Sequence, residues 1–135
     1  MFELSDSAQT TAGVVVLAAI TVTTGGYFLT KVVRGEVPAT EFQRCFYRAG
    51  HAHAGVLITL GLVCLLLTET TGLTGLAGWL ARTGVLISAI LMPAGFFLSA
   101  IGRERTQPNG FIILLWAGVV FLVAGLGVLG VGLLR

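Results

Sequence analysis

Charge is what this sequence has least of. Of 135 residues only 8 are Lys or Arg and 6 are Asp or Glu, and lysine and aspartate occur once each, at Lys31 and Asp6. Charged residues make up 10% of the chain against 56% hydrophobic, with a mean hydropathy of +0.96, which excludes a soluble domain of ordinary composition. A net charge of +2 excludes a polybasic nucleic-acid-binding surface. The two cysteines, Cys45 and Cys64, exclude a disulfide scaffold. Cys45 falls near a predicted cytoplasmic surface, where thiols stay reduced, and Cys64 lies in an apolar run as a small packing residue. With Asp6 the sole aspartate no Ser-His-Asp arrangement can be built, and the Gly-rich stretches lack the lysine of a phosphate loop. No general acid and base are placed together, so catalysis by this chain alone is not expected.

What remains is hydrophobic sequence in four windows, each about 20 residues and long enough to cross a bilayer. Spanning backbone must satisfy its own hydrogen bonds, so the windows predict an all-α, four-helix transmembrane bundle in one domain over residues 1–135, with crossings near 10–30, 41–68, 83–101 and 110–134. The segment Met1 to Thr11 carries Glu3 and Asp6 and no basic residue, the wrong charge for a signal peptide, so the first crossing is expected to be retained. Ser7 or Thr10 is its expected N-cap, and Thr21, Thr23 and Thr24 form a polar shelf before Gly25-Gly26. Thr40-x-x-Gln43 has capping-box form and predicts where the second helix starts. Glu69 is expected to be solvated beyond its end, and Leu73 to Arg82 to form a Gly-rich link.

Pro93 interrupts the third crossing and frees a carbonyl within the membrane. Gly84, Ser88, Gly95, Ser99 and Gly102 share one face of it, while Gly118, Gly125 and Gly132 recur at heptad spacing in the fourth, a pattern that brings helix backbones close. Lys31, Arg34, Arg44, Arg48, Arg103 and Arg105 fall on one side of the membrane against Arg82 and Arg135 on the other, which predicts that both termini lie on the non-cytoplasmic side. The Ala, Gly, Val and Leu-rich, Lys-poor composition is that expected of a high-GC bacterial plasma membrane.

The chemistry is concentrated in Arg44 to Gly55, which holds both histidines of the chain, His51 and His53. On a helix these two point roughly 160° apart and cannot grip one small ion. The small residues Gly50, Ala54, Gly61 and Cys64 mark the interior face, and their spacing predicts that the bundle buries His53 rather than His51. An ionisable group inside a membrane helix points to function, and neutral imidazole ligates metals and haem. Arg44 and Arg48 could hold an anionic group such as a propionate, or simply follow the positive-inside rule. Each histidine could equally bond a carbonyl or threonine of a neighbouring helix.

Arg48-Ala49-Gly50-His51-Ala52-His53-Ala54-Gly55-Val56-Leu57, leading to Gly61, resembles the His-Ala-His helix of NnrS-type membrane haem proteins and of the related haem–copper oxidase catalytic subunits. The resemblance covers one helix and implies that His51 or His53 is an axial haem ligand. No other helix carries a histidine, so the second axial position would be filled by Met92, by a histidine of a second copy, or by nothing, and no copper site can be built. Three function classes follow: a haem-binding or redox-associated membrane protein, a non-catalytic structural or assembly subunit of a larger membrane complex, and a small transporter in which Thr21, Thr24, His53 and the carbonyl freed by Pro93 line a path. The expected partners are the lipid bilayer and either further copies of the chain or a larger membrane complex, and not nucleic acid.

Overall fold

The computed structural model describes residues 3–135; Met1 and Phe2, part of the retained leading segment expected above, lie outside the described residues. It is all-helical, with α1 (Asp6–Val33), α2 (Glu41–Thr68), α3 (Gly75–Ser99) and α4 (Ile112–Leu133), and no strand among the described residues. Each helix is long and apolar enough to cross a membrane, and together they form a four-helix bundle: this is a small multi-pass membrane protein.

The second helix starts where its sequence says. Thr40 accepts from the Gln43 N–H while the Gln43 side chain accepts from the Thr40 N–H, closing the capping box. The Gln43 amide then donates to the carbonyls of Ala100, the C-cap of α3, and Gly102 in the turn that follows, and so ties the start of α2 to the end of α3.

Two element boundaries differ from the sequence expectation, for one shared reason. The first helix is capped by Ser5, whose side chain accepts from the Ala8 N–H, and not by Ser7 or Thr10. The third begins at Gly75, so most of the expected Gly-rich link is helix and Arg82 lies within it. Both depend on Glu69. Its carboxylate accepts the Ser5 N–H at 3.0 Å and pairs with Arg82 at 2.6 Å, so a charge in the third turn of α3 is matched. The Glu69 side chain is only 7% exposed, against the solvated position expected. The glycines of the supposed link are structural: Gly75 adopts φ +59°, and a Cβ at Gly78 would stand 2.6 Å from the Leu73 carbonyl oxygen.

In lipid, helices gain nothing from hiding apolar surface, so close packing must hold them together. The glycine pattern supplies it. A Cβ at Gly118 would meet Met92 Cγ at 2.5 Å, one at Gly125 the Leu80 carbonyl at 3.1 Å, and one at Gly132 Leu73 Cδ1 at 2.6 Å. From the other side, Gly95 lies against the backbone of Leu115 and Gly84 against that of Gly125. The third helix is thus the centre of the bundle, packed on α4 along one face and on α2 along another.

The backbone of α1 approaches only α2. Its buried residues are Ala8 and Val32, near opposite ends, and none of the residues between them is buried. At the Val32 end it joins a cluster with Tyr47, Phe28, Phe97 and Ala100; at the other, Ser5 is tied to Glu69. Pinned at both ends and without a buried residue between them, α1 leaves a space against α2 and α3.

Candidate functional site

That space is a cleft of about 1040 Å³, at the upper end of the range for small-molecule pockets. Its α1 wall runs from Thr11 to Phe28, about 26 Å at 1.5 Å per residue, nearly the thickness of a hydrocarbon core. Apolar side chains, among them Val14, Ile58, Ile87 and Ile90, form most of it. No Lys, Arg, Asp or Glu lines it.

Thr11 and Thr83 line one end of the cleft, and Thr21, Thr24, Tyr47 and His51 lie towards the other. His51 projects from α2 onto α1 at the level where α1 carries no side chain: a Cβ at Gly25 would stand 3.2 Å from His51 Nδ1, and one at Gly26 3.4 Å from Cε1. Two glycines in succession are what admits an imidazole between the helices. Half-buried there, the ring lines the cleft on one side and shallower grooves between α1 and α2 on the other. Among the described residues it makes no hydrogen bond to protein.

One turn before His51, Tyr47 stacks on Phe97 with ring centroids 5.6 Å apart and meets Phe28 edge-on at 5.1 Å. Phe97 can come so near α2 because Gly50 has no side chain; a Cβ there would lie 2.9 Å from its ring. All three aromatic residues line the cleft beside His51.

His53 lies on the opposite flank of α2. Its Nδ1 is 2.7 Å from the Ala49 carbonyl and its ring packs on Phe96 at 5.0 Å. A carbonyl can only accept, so His53 Nδ1 is the donor in this contact. His53 does not line the cleft. The two histidines therefore diverge as their spacing requires, but His51, not His53, faces the space within the bundle.

The other residues singled out from sequence are not brought to His51. Arg44 and Arg48 are exposed and absent from the cleft wall. Met92 is buried in the core with Cys64, Val85 and Leu129, beneath Gly118 of α4. By contrast Thr21, Thr24 and Pro93, placed on a common path by the transporter reading, do share the cleft, with His51 in the place expected for His53. The Thr21 and Thr24 hydroxyls donate to the carbonyls of Ala18 and Thr21 on their own helix. Pro93 has no N–H for the Ala89 carbonyl, and both residues border the cleft.

Nothing in the sequence alone marks Tyr47, Phe28 and Phe97 as site residues, and there Gly25-Gly26 stands only as the end of a polar shelf. The glycine pair was the available signal: two adjacent positions without side chains inside a membrane helix leave room for a group from a neighbour.

No group of three or more His, Cys, Asp or Glu side chains placed to hold a metal ion occurs among the described residues. No protein family, characterised protein or solved structure matches this chain, so the site is defined by its own geometry.

Proposed function

We propose that this membrane protein binds a lipid-soluble molecule in the α1–α2–α3 cleft, with His51 as its principal hydrogen-bonding contact. The observation that carries this reading is the union, in one cleft, of a long uncharged wall and an imidazole without a protein partner. Ligand pockets are mostly apolar with a few polar groups that set orientation, and this cleft has that composition. Between Ala8 and Val32 no residue of α1 is buried, and Val14 and Ile90 of the cleft wall are exposed, so a ligand dissolved in the membrane can enter sideways.

Haem, the cofactor implied by the His-Ala-His resemblance, is a less favourable occupant. His51 offers one axial nitrogen, but Met92 lies in the α3–α4 core and Arg44 and Arg48 do not reach the cleft to hold propionates. An apolar cleft with no cation suits a neutral molecule better. The redox-associated reading survives in a different form, with the ligand and not a metal as the candidate redox group.

Native mass spectrometry of the full chain released from membrane nanodiscs tests the proposal. A lipophilic species of fixed mass should accompany the wild-type chain and be lost from Ala18→Phe, which places a ring in the cleft from an exposed position of α1. Equal retention by both chains would refute it.

A further inference from the structure

Resting on that reading, we infer that the ligand is an isoprenoid para-quinone, its ring held beside His51 and its tail laid along the aliphatic wall. Three features of the cleft lead to this class. The lining carries no charge, which disfavours phospholipid headgroups and ionised fatty acids, since neither would find a counter-charge. The head must therefore be neutral and able to pair with an imidazole. An oxidised quinone offers only carbonyl acceptors, and an imidazole N–H supplies the donor they need.

The second feature is the shape and chemistry of the His51 end. Tyr47, Phe97 and Phe28 present ring surfaces next to His51. Flat aromatic walls match a flat conjugated head by offset or edge-to-face contact. The third is length. From the level of His51 opposite Gly25, the cleft continues along α1 to Thr11, about 21 Å at 1.5 Å per residue, between Val14, Val15, Ala18, Ile58, Ile87 and Ile90. A compact macrocycle leaves most of that length empty, whereas a branched prenyl chain fills it. The His51 end faces the Lys31 and Arg103 side of the bundle, so the head would sit towards one membrane surface and the tail towards the other.

The test uses the full chain in nanodiscs of saturated phosphatidylcholine and three probes: a naphthoquinone with a short prenyl tail, the naphthalene hydrocarbon bearing the same tail, and haemin. The quinone should bind about tenfold more tightly than the hydrocarbon, the scale of one hydrogen bond in an apolar site. His51→Leu should lower quinone affinity to that of the hydrocarbon while leaving hydrocarbon binding intact, which also shows that the variant is folded. His53→Leu should leave the ratio unchanged, and Ala18→Phe should block both probes. One-electron reduction of the bound quinone should give a semiquinone whose spectrum carries coupling to a His51 ring nitrogen.

Equal affinity for quinone and hydrocarbon would overturn the assignment of the head while leaving the cleft as a lipophile site. Failure of both probes to bind the wild-type chain would remove the cleft reading as well. Haemin that displaces the quinone and gives a His51-dependent Soret band would replace the quinone by haem.

Discussion

His51 and Gly25 fit together as side chain and gap: the imidazole of α2 lies where α1 has no Cβ, and a Cβ at position 25 would stand 3.2 Å from Nδ1. That separation is tighter than ordinary van der Waals contact but within reach of a small ring movement. Gly25→Ala should therefore change stability by less than about 1 kcal/mol, the better helix propensity of alanine offsetting the contact. Gly25→Leu should expel the imidazole and abolish ligand binding. Thermal unfolding in detergent together with ligand retention distinguishes the two outcomes. Gly26→Ala, with contacts of 3.4 and 3.5 Å, serves as the tolerated neighbour.

Glycines of the α3–α4 seam should behave quite differently. A Cβ at Gly95 would stand 2.7 Å from Leu115 Cα, and main chain cannot rotate out of the way. Gly95→Ala should force the helices apart and cost about 2 kcal/mol or more. Gly127 and Gly130 meet nothing within 4 Å, so alanine there should be neutral or stabilising by up to about 1 kcal/mol. Unfolding midpoints of the three variants, compared in one detergent, check the contrast.

The cluster of Glu69, Ser5 and Arg82 should make the N-terminal end of α1 sensitive to acid. Hydrogen bonds from the Ser5 hydroxyl and N–H, and then from Arg82, hold the Glu69 carboxyl down to about 2 from its ordinary 4.5. A carboxyl whose folded pKa is depressed adds stability above its unfolded pKa and loses it as pH falls towards the folded value. The contribution should be complete above about pH 4.5 and vanish progressively down to about pH 2. Glu69→Gln should remove this dependence. Hydrogen exchange at the first turns of α1, followed in wild type and variant between pH 5 and pH 2.5, should show faster opening in the wild type alone as pH falls through that window.

Much of this architecture was legible in the residues and some was not, for physical reasons. The span of α2 could be read because its start is encoded locally, in Thr40 and Gln43, and the seam because glycine at heptad spacing has few other uses in lipid. The start of α3 could not, because a charge at Arg82 argues against a helix in a membrane until its partner is known, and Glu69 is thirteen positions away. For the histidines, angular spacing gives opposite flanks of α2 but not which neighbour each flank meets. That was decided by Gly25 and Gly26 on another helix. Met92 illustrates the same limit, since its thioether could have faced either side of α3.

Topology offers an independent check. Lys31, Arg34, Arg44, Arg48, Arg103 and Arg105 occupy the end of the bundle where α1 and α3 finish and α2 starts, and we propose that this end is cytoplasmic. Cys45 is exposed there and Cys64 is buried, so the native chain is its own reporter. A membrane-impermeant maleimide should modify Cys45 in inverted vesicles, spare it in intact cells, and leave Cys64 unmodified in both. Labelling of Cys45 in intact cells would reverse the orientation.

Because the chain has only two histidines, its imidazole nitrogen spectrum contains only two rings. Selective ¹⁵N-histidine labelling of the full chain in nanodiscs, with ring signals followed as native membrane lipid extract and then the prenylated naphthoquinone are added, therefore asks directly which ring meets a ligand. The His51 signals should shift and saturate while those of His53, bonded to the Ala49 carbonyl, stay in place. Movement of His53 alone, or of neither ring, would contradict a cleft that binds through His51.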